Sequence, residues 1–372
     1  MILDDESKIA EQISKTQSND ISDDDDELLK FLEQTKPKIY VIGTGGSGCN
    51  TLSRMAEVGI EGVDLIAMNT DVRHLIKMKA NKKLLIGKNT TKGMGAGSNP
   101  TVGEAAAKES AEEIKRTLVG SSMVFVTCGL GGGTGTGSAH IISEAAKNTG
   151  ALTIAVVTLP FESEGRIRMQ NALEGLEKLR RHADTVVVIP NDKLLSIAPD
   201  LPLNTAFKVC DEVLTSAVKS IAELVTRAGL VNLDFADLKT ILSSAGCAVV
   251  GVGESSVDAK SEQRAMVAVE MALNSPLLDV DISSAHRALV NVVGGEDMTL
   301  KEAELVVSEV AKRIDSSAHI IWGARVEKTD KKNAVRVLVV IAGTKFPQYE
   351  LDKPNRGAGL AQVENLELDL IS

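Results

Sequence analysis

The segment Gly131-Gly132-Gly133-Thr134-Gly135-Thr136-Gly137-Ser138 constrains this chain more than any other. Five glycines in seven positions cannot form a strand or helix interior at reasonable entropic cost, so the stretch reads as a loop. It follows an apolar run at 123–127 and precedes a helix-like segment at 138–147. A glycine loop between a strand and a helix lets backbone N–H groups approach a ligand closely, and the helix start favours an anion. Thr134 and Thr136 add hydroxyls. The Lys of GxxxxGK is missing, so this is not a P-loop. A nucleotide held here must be cradled by backbone N–H groups and helix dipoles, with a metal ion taking up charge. Gly43-Thr44-Gly45-Gly46-Ser47-Gly48-Cys49-Asn50 has the same setting, after an apolar run at 38–42. Alone it satisfies the dinucleotide fingerprint GxGxxG, as many glycine turns do, and a tight turn without a ligand fits it equally.

Further strands are expected at 64–68, 152–159 and 185–189. They alternate with helices at 51–58, 100–118, 138–147 and 167–181. Buried apolar strands alternating with helices predict a Rossmann-like α/β domain, a parallel sheet with helices on both faces. Residues 203–227 hold no Gly or Pro and carry apolar side chains on more than one side. Such a helix is expected between two bodies, and the domain junction is placed along it. Beyond it, strands at 248–253, 288–293, 319–326 and 335–342 and helices at 257–273 and 300–314 predict a smaller α+β domain. Thr299-Leu300-Lys301-Glu302 reads as a capping box. The expected division is an acidic extension at 1–37, a nucleotide-binding domain at 38–227, an α+β domain at 228–345 and a tail at 346–372.

Composition narrows the partners. Aromatics are 2% of the 372 residues, too few for base-stacking platforms or a membrane belt. The net charge of −10 argues against nucleic acid. Residues 1–37 hold eleven acids against four lysines, a net of −7, so the remainder is close to neutral. Cys49, Cys128, Cys210 and Cys247 lie far apart with no CxxC, and read as reduced thiols of a cytoplasmic protein. The five histidines form no HExxH pair, which gives no reason to expect a zinc site. The start is acidic where a signal peptide is basic, and no apolar run reaches the roughly 18 residues a membrane span needs, so direct membrane insertion is not expected.

The loop GGGTGTGS is the signature of the tubulin/FtsZ GTPase superfamily, and the resemblance to its FtsZ branch runs over roughly residues 38–345. The landmarks fall in order. Ala67-Met68-Asn69-Thr70-Asp71 is similar to the family's second nucleotide loop, and residues 93–100, with Gly95, Ala96 and Gly97, to the third. Residues 160–166 with Arg168 resemble the segment beside ribose and phosphates, and residues 189–193 the fifth loop. The resemblance implies GTP or GDP with Mg2+, and K+ as a further candidate at the interface. It assigns Gly45, Gly46, Ser47, Asn69, Thr70, Asp71, Gly95, Ala96, Gly97 and Gly131, Gly132, Gly133, Thr134, Gly135, Thr136, Gly137 to the phosphates. Pro160, Glu164 and Arg168 join them beside the ribose. Asn50 and Asp211 are implied at the guanine edge, with Phe207 on the ring. A carboxylate suits guanine's N1–H and exocyclic amine, which are both donors.

Asn232-Leu233-Asp234-Phe235-Ala236-Asp237-Leu238 carries the remaining chemistry. From spacing alone, two acids three apart at a helix start read first as caps. The resemblance identifies the stretch with the family's synergy loop. There Asp234 and Asp237 polarise the water that attacks the γ-phosphate of the neighbouring subunit, and Asn232 helps place it. A pocket at one end of a 25-residue helix and acids beyond the other end require two molecules, which implies a head-to-tail homopolymer. The resemblance further implies a division ring at mid-cell under the membrane, and a tail peptide at 366–372 that binds anchoring and regulatory division proteins. Two other readings are open to test. A dinucleotide oxidoreductase needs neither the second glycine loop nor the acid pair. A structural relative that binds nucleotide without hydrolysis needs no acids at 234 and 237.

Overall fold

The computed structural model describes residues 37–197, 203–227, 231, 234–255, 261–278, 280–327 and 334–343. The acidic extension, Asn232 and the tail lie outside the described residues.

The first strands are apolar because both their faces are covered. β1 (Ile39–Thr44) runs into α1 (Gly45–Val58), β2 (Val63–Asn69) into α2 (Val72–Lys77), and a short β3 (Lys82–Leu85) follows. After a single helical turn at Lys88–Thr91 come α3 (Pro100–Glu109) and α4 (Ala111–Leu118). β4 (Met123–Gly129), α5 (Thr134–Asn148), β5 (Leu152–Leu159), α6 (Arg166–His182), β6 (Thr185–Pro190) and α7 (Asn191–Ile197) then lead to α8 (Leu203–Thr226). The second half holds α9 (Phe235–Leu242), β7 (Gly246–Glu254), α10 (Ser261–Leu273), β8 (Arg287–Gly294), α11 (Leu300–Ala311), β9 (His319–Val326) and β10 (Val335–Ala342).

These ten strands form one sheet, in the order β3-β2-β1-β4-β5-β6-β7-β10-β8-β9. β1 to β7 run parallel. The apolar runs predict this for β1, β2, β4, β5 and β6, whereas β3 is not expected from the sequence and β7 is expected in the α+β domain. β10 is antiparallel to both its neighbours, and β8 pairs with β9 in parallel. The two expected halves therefore share a sheet, joined through the pairs Thr185↔Gly246, Val186↔Cys247 and Val187↔Ala248. One face packs on α1, α8 and α9 through Leu52, Val218, Ile221 and Leu238. The other face packs on α4, α5 and α6 through Ile114, Ile142 and Leu179. A third core joins α10 and α11 to β8 and β10 through Val269, Val306 and Val339. Arg264, fully buried on α10, is neutralised by Glu302 and Asp297. Glu302 also closes the predicted capping box with Thr299.

The structure corrects the sequence reading in three places. The stretch at 100–118 is two helices that meet at Ser110, whose hydroxyl accepts the Gly87 N–H at 2.9 Å. α1 begins at Gly45 rather than residue 51. α5 begins at Thr134 rather than residue 138, so Gly135 and Gly137 lie inside a helix after all. Tertiary packing overrides their low propensity. A Cβ on Gly137 would lie 2.2 Å from the Pro100 carbonyl oxygen, and one on Gly103 2.2 Å from the Gly133 carbonyl oxygen. The missing side chains let α3 and α5 approach backbone to backbone.

Candidate functional site

The carboxyl ends of β1, β4, β5 and β6 open onto a cavity of about 350 Å³, within the range of small-molecule sites. Of the residues expected there, Gly46, Ser47 and Asn50 line it from α1, and Pro160, Glu164 and Arg168 from the loop after β5 and the start of α6. Phe207 and Asp211 line it from the first turns of α8.

Each wall has a local cause. Gly46 sits in the first turn of α1, and a Cβ there would meet nothing within 4 Å, so its bareness leaves room beside the helix start. Glu164 accepts the Phe161 N–H at 2.9 Å and pairs with Arg168 at 2.8 Å, which ties two of the lining side chains together. Phe161 in turn packs edge-on against Phe207, with ring centroids 5.3 Å apart. Phe207 keeps 40% of its surface exposed, an apolar ring left uncovered at the rim.

Asp211 is the chemically loaded group. Its carboxylate accepts the Thr51 hydroxyl at 2.5 Å. Burial pushes its pKa up from the ordinary carboxylate value, against the pull of the Thr51 hydrogen bond and the Arg54 charge. Such a carboxylate gains from any ligand that brings N–H donors. Cys210 beside it is buried, and its thiol is pushed up to about 12, so it is a packing residue rather than a nucleophile.

The expected phosphate loops at 69–71, 95–97 and 131–136 do not line this cavity but meet one another. Thr70 and Thr134 share a hydrogen bond at 2.6 Å between their hydroxyls. Gly95 donates to the Thr70 carbonyl at 3.1 Å, and Met94 bridges Asp71. Ala96 lies against Gly133, where a Cβ would come within 2.9 Å of it. Gly131 has φ +100°, a conformation glycine adopts without strain, and its N–H is held by the Thr136 hydroxyl at 2.8 Å. The structure thus brings Asn69–Asp71, Gly95–Gly97 and Gly131–Thr136 together. It gives Gly135 and Gly137 a duty in packing. Gly45, with φ +73°, approaches the Gly135 nitrogen so closely that a Cβ would lie 2.7 Å from it.

Sequence reasoning missed several wall residues, among them Gly129, Leu130 and Thr158, and it placed Asn191 in the fifth loop at 189–193 without giving it a role. Asn191 is buried, and its Oδ1 has no hydrogen-bond partner among the described residues, which leaves an acceptor unused at the wall. Its position directly after Pro190 at a strand's carboxyl end was the available signal, since ligands bind there in open α/β sheets. His74 was also missed. Its ring stands 3.1 Å from both Asn50 and Asn69.

Asp234 and Asp237 do not line the cavity. α8 has its first turns at the wall and its last at the amino end of β2, where Arg227 pairs with Glu61 at 2.8 Å and Thr226 lies against Gly62. From Asp211 to Arg227 the helix rises about 24 Å. Beyond it Val231 donates to the Ala324 carbonyl, and Asp234 then caps α9. Both acids are exposed.

Residues 38–199 match the family described as Tubulin/FtsZ family, GTPase domain, and residues 246–345 the FtsZ family, C-terminal domain. Cell division protein FtsZ 1 of Methanocaldococcus jannaschii is 58% identical over 324 residues, 87% of this chain and 88% of that one. The FtsZ 1 of Archaeoglobus fulgidus is 54% identical over 338 residues, 91% of this chain and 90% of that one. A solved structure titled as an empty FtsZ dimer from M. jannaschii superposes with a TM-score of 0.81 at 57% identity, covering 87% of this chain and 93% of that chain.

Proposed function

The chain belongs to the FtsZ family of tubulin-like GTPases, and from that membership and the geometry above we propose a head-to-tail polymerising GTPase of cell division. The observation that carries the proposal is the distance between the cavity and the acid-bearing turn, set by α8. The cavity offers a base-reading end and an anion-binding end, and the acids are exposed on another part of the surface.

Asp211 suits guanine because its carboxylate accepts from N1–H and the 2-amino group, and it repels adenine's N1 acceptor. Phe207 offers a ring to the base. Asn191 and Glu164 present acceptors to ribose hydroxyls. The starts of α1 and α5 and the loops at 96–97 and 132–135 would direct backbone N–H groups at the phosphates, since those of Gly95 and Gly131 are taken by Thr70 and Thr136. Mg2+ would neutralise phosphate oxygens there, and K+ is proposed at the contact between subunits. Asp234 and Asp237 of a neighbour, with Asn232, then orient the attacking water. Such a contact joins unlike surfaces and builds an open filament. The division at 227/228, the mid-cell ring, and a tail peptide that recruits anchoring and regulatory proteins belong to the same proposal.

The test is phosphate release and sedimentation with GTP and GDP over a range of protein concentrations. GTP should promote pelleting, and turnover per subunit should rise with concentration before levelling. Turnover per subunit that stays constant down to high dilution would overturn the proposal.

A further inference from the structure

Asn50 faces the cavity with an amide that can present either its oxygen or its nitrogen, and a chain of hydrogen bonds decides which. The chain starts at Asn69. Its Oδ1 accepts the backbone N–H of Thr70 at 2.8 Å and that of Asp71 at 3.3 Å. Backbone donors leave no choice of orientation, so the end of Asn69 that stands 3.1 Å from the His74 Nδ1 is its NH2 group. A donor at Nδ1 requires that nitrogen to be an acceptor, so a neutral ring carries its proton on Nε2. Nε2 is 3.1 Å from the Asn50 Oδ1 and donates to it. The Asn50 oxygen is thereby occupied, and its NH2 is the group left for a ligand.

We propose that His74 is a positioning residue that fixes Asn50 as a hydrogen-bond donor to the nucleotide base. This rests on the reading of the cavity as a guanine-nucleotide site. Guanine has acceptors at O6, N7 and N3, and Asp211 already serves its donor edge, so a donor at Asn50 complements what Asp211 provides. Asp71 holds His74 in place, since its carboxylate accepts the His74 backbone N–H at 3.1 Å as the cap of α2. Asn69 and Asp71 belong to the loop implied at the phosphates, so the same few residues tie the phosphate end of the pocket to its base end.

The test measures the affinity of the full-length chain for a fluorescent GDP analogue, in the parent, His74→Ala, Asn50→Ala and the double variant. His74→Ala should weaken binding about five- to tenfold, the worth of one net hydrogen bond, and add less than about twofold on the Asn50→Ala background. Unchanged affinity in His74→Ala, or effects that multiply in the double variant, would overturn the proposal. A parent that binds no guanine nucleotide would overturn the reading of the cavity itself. An independent measurement needs no variant affinity. In the nitrogen-15 spectrum of histidine-labelled protein, assigned by the signal lost in His74→Gln, His74 should show the neutral Nε2–H tautomer. The Nδ1–H tautomer would refute the hydrogen-bond chain.

Discussion

The carboxylate of Asp234 accepts the backbone N–H of Asp237 at 2.8 Å, so one acid serves as the cap of α9 while the other rides on its first turn. The two are therefore not equivalent. Asp234→Ala removes a cap worth about 1 kcal/mol along with the charge. Asp234→Ser keeps a capping hydroxyl, and Asp237→Ala leaves the cap untouched. The Ser and Asp237→Ala variants should melt like the parent yet lose GTP turnover by about 100-fold, the scale of a lost acid–base group. Melting curves and phosphate release on the same samples decide it, and parental turnover in both would remove the acids from the mechanism.

If the acids act on a neighbour's nucleotide, two defective subunits can complement each other. Asp237→Ala keeps an intact pocket, and Asp211→Ala keeps intact acids. Mixed in equal amounts, they should release phosphate faster than the sum of the two alone. A strictly additive rate would place pocket and acids in the same subunit.

If Asp211 reads the guanine edge as proposed, binding depends on pH. Its folded-state pKa lies above the ordinary carboxylate value through burial. Guanine's donors need the ionised form, so GDP affinity should fall as the pH drops through that raised value and flatten above it. Stability runs the other way. A raised carboxylate favours the folded state while protonated, and that contribution is lost as pH rises through the folded-state pKa. Asp211→Asn should therefore lose this pH dependence of binding, and without ligand melt no lower than the parent at neutral pH. Titration calorimetry and melting across a pH series check both.

The glycines of the two loops divide by what surrounds them. Gly137→Ala drives a Cβ into the backbone of α3 and should cost about 1–3 kcal/mol of stability. Gly46→Ala meets no protein atom, so it should melt like the parent while weakening nucleotide binding. Equal melting loss in both would show that Gly46 serves packing as well.

The parallel strands β1, β2, β4, β5 and β6 are readable because each is a short apolar run, and buried parallel strands have that composition. β3 is not readable. Its Lys82-Lys83-Leu84-Leu85 is a short, charged edge strand, which sits on the sheet's rim with too few apolar residues to mark it. The break at Ser110 is hidden because nothing at 109–111 disfavours a helix locally. The helical start at Thr134 is hidden because glycines that serve close packing look like a loop. In the site, charged and aromatic residues such as Asp211 and Phe207 stand out through a motif with a fixed register. His74 belongs to no periodic pattern, and its partners lie 24 and 5 positions away in sequence.

The pairing of β6 with β7 spans three residue pairs, whereas β10 matches β7 over seven. A twist of the β7–β10 half against the β1–β6 half would break the fewest rungs at that seam. α8 is tied to the far half, where Asn291 donates to the Ser220 carbonyl and Arg325 pairs with Glu223, so such a twist would pull on a helix whose two ends are the cavity wall and the turn that leads to Asp234.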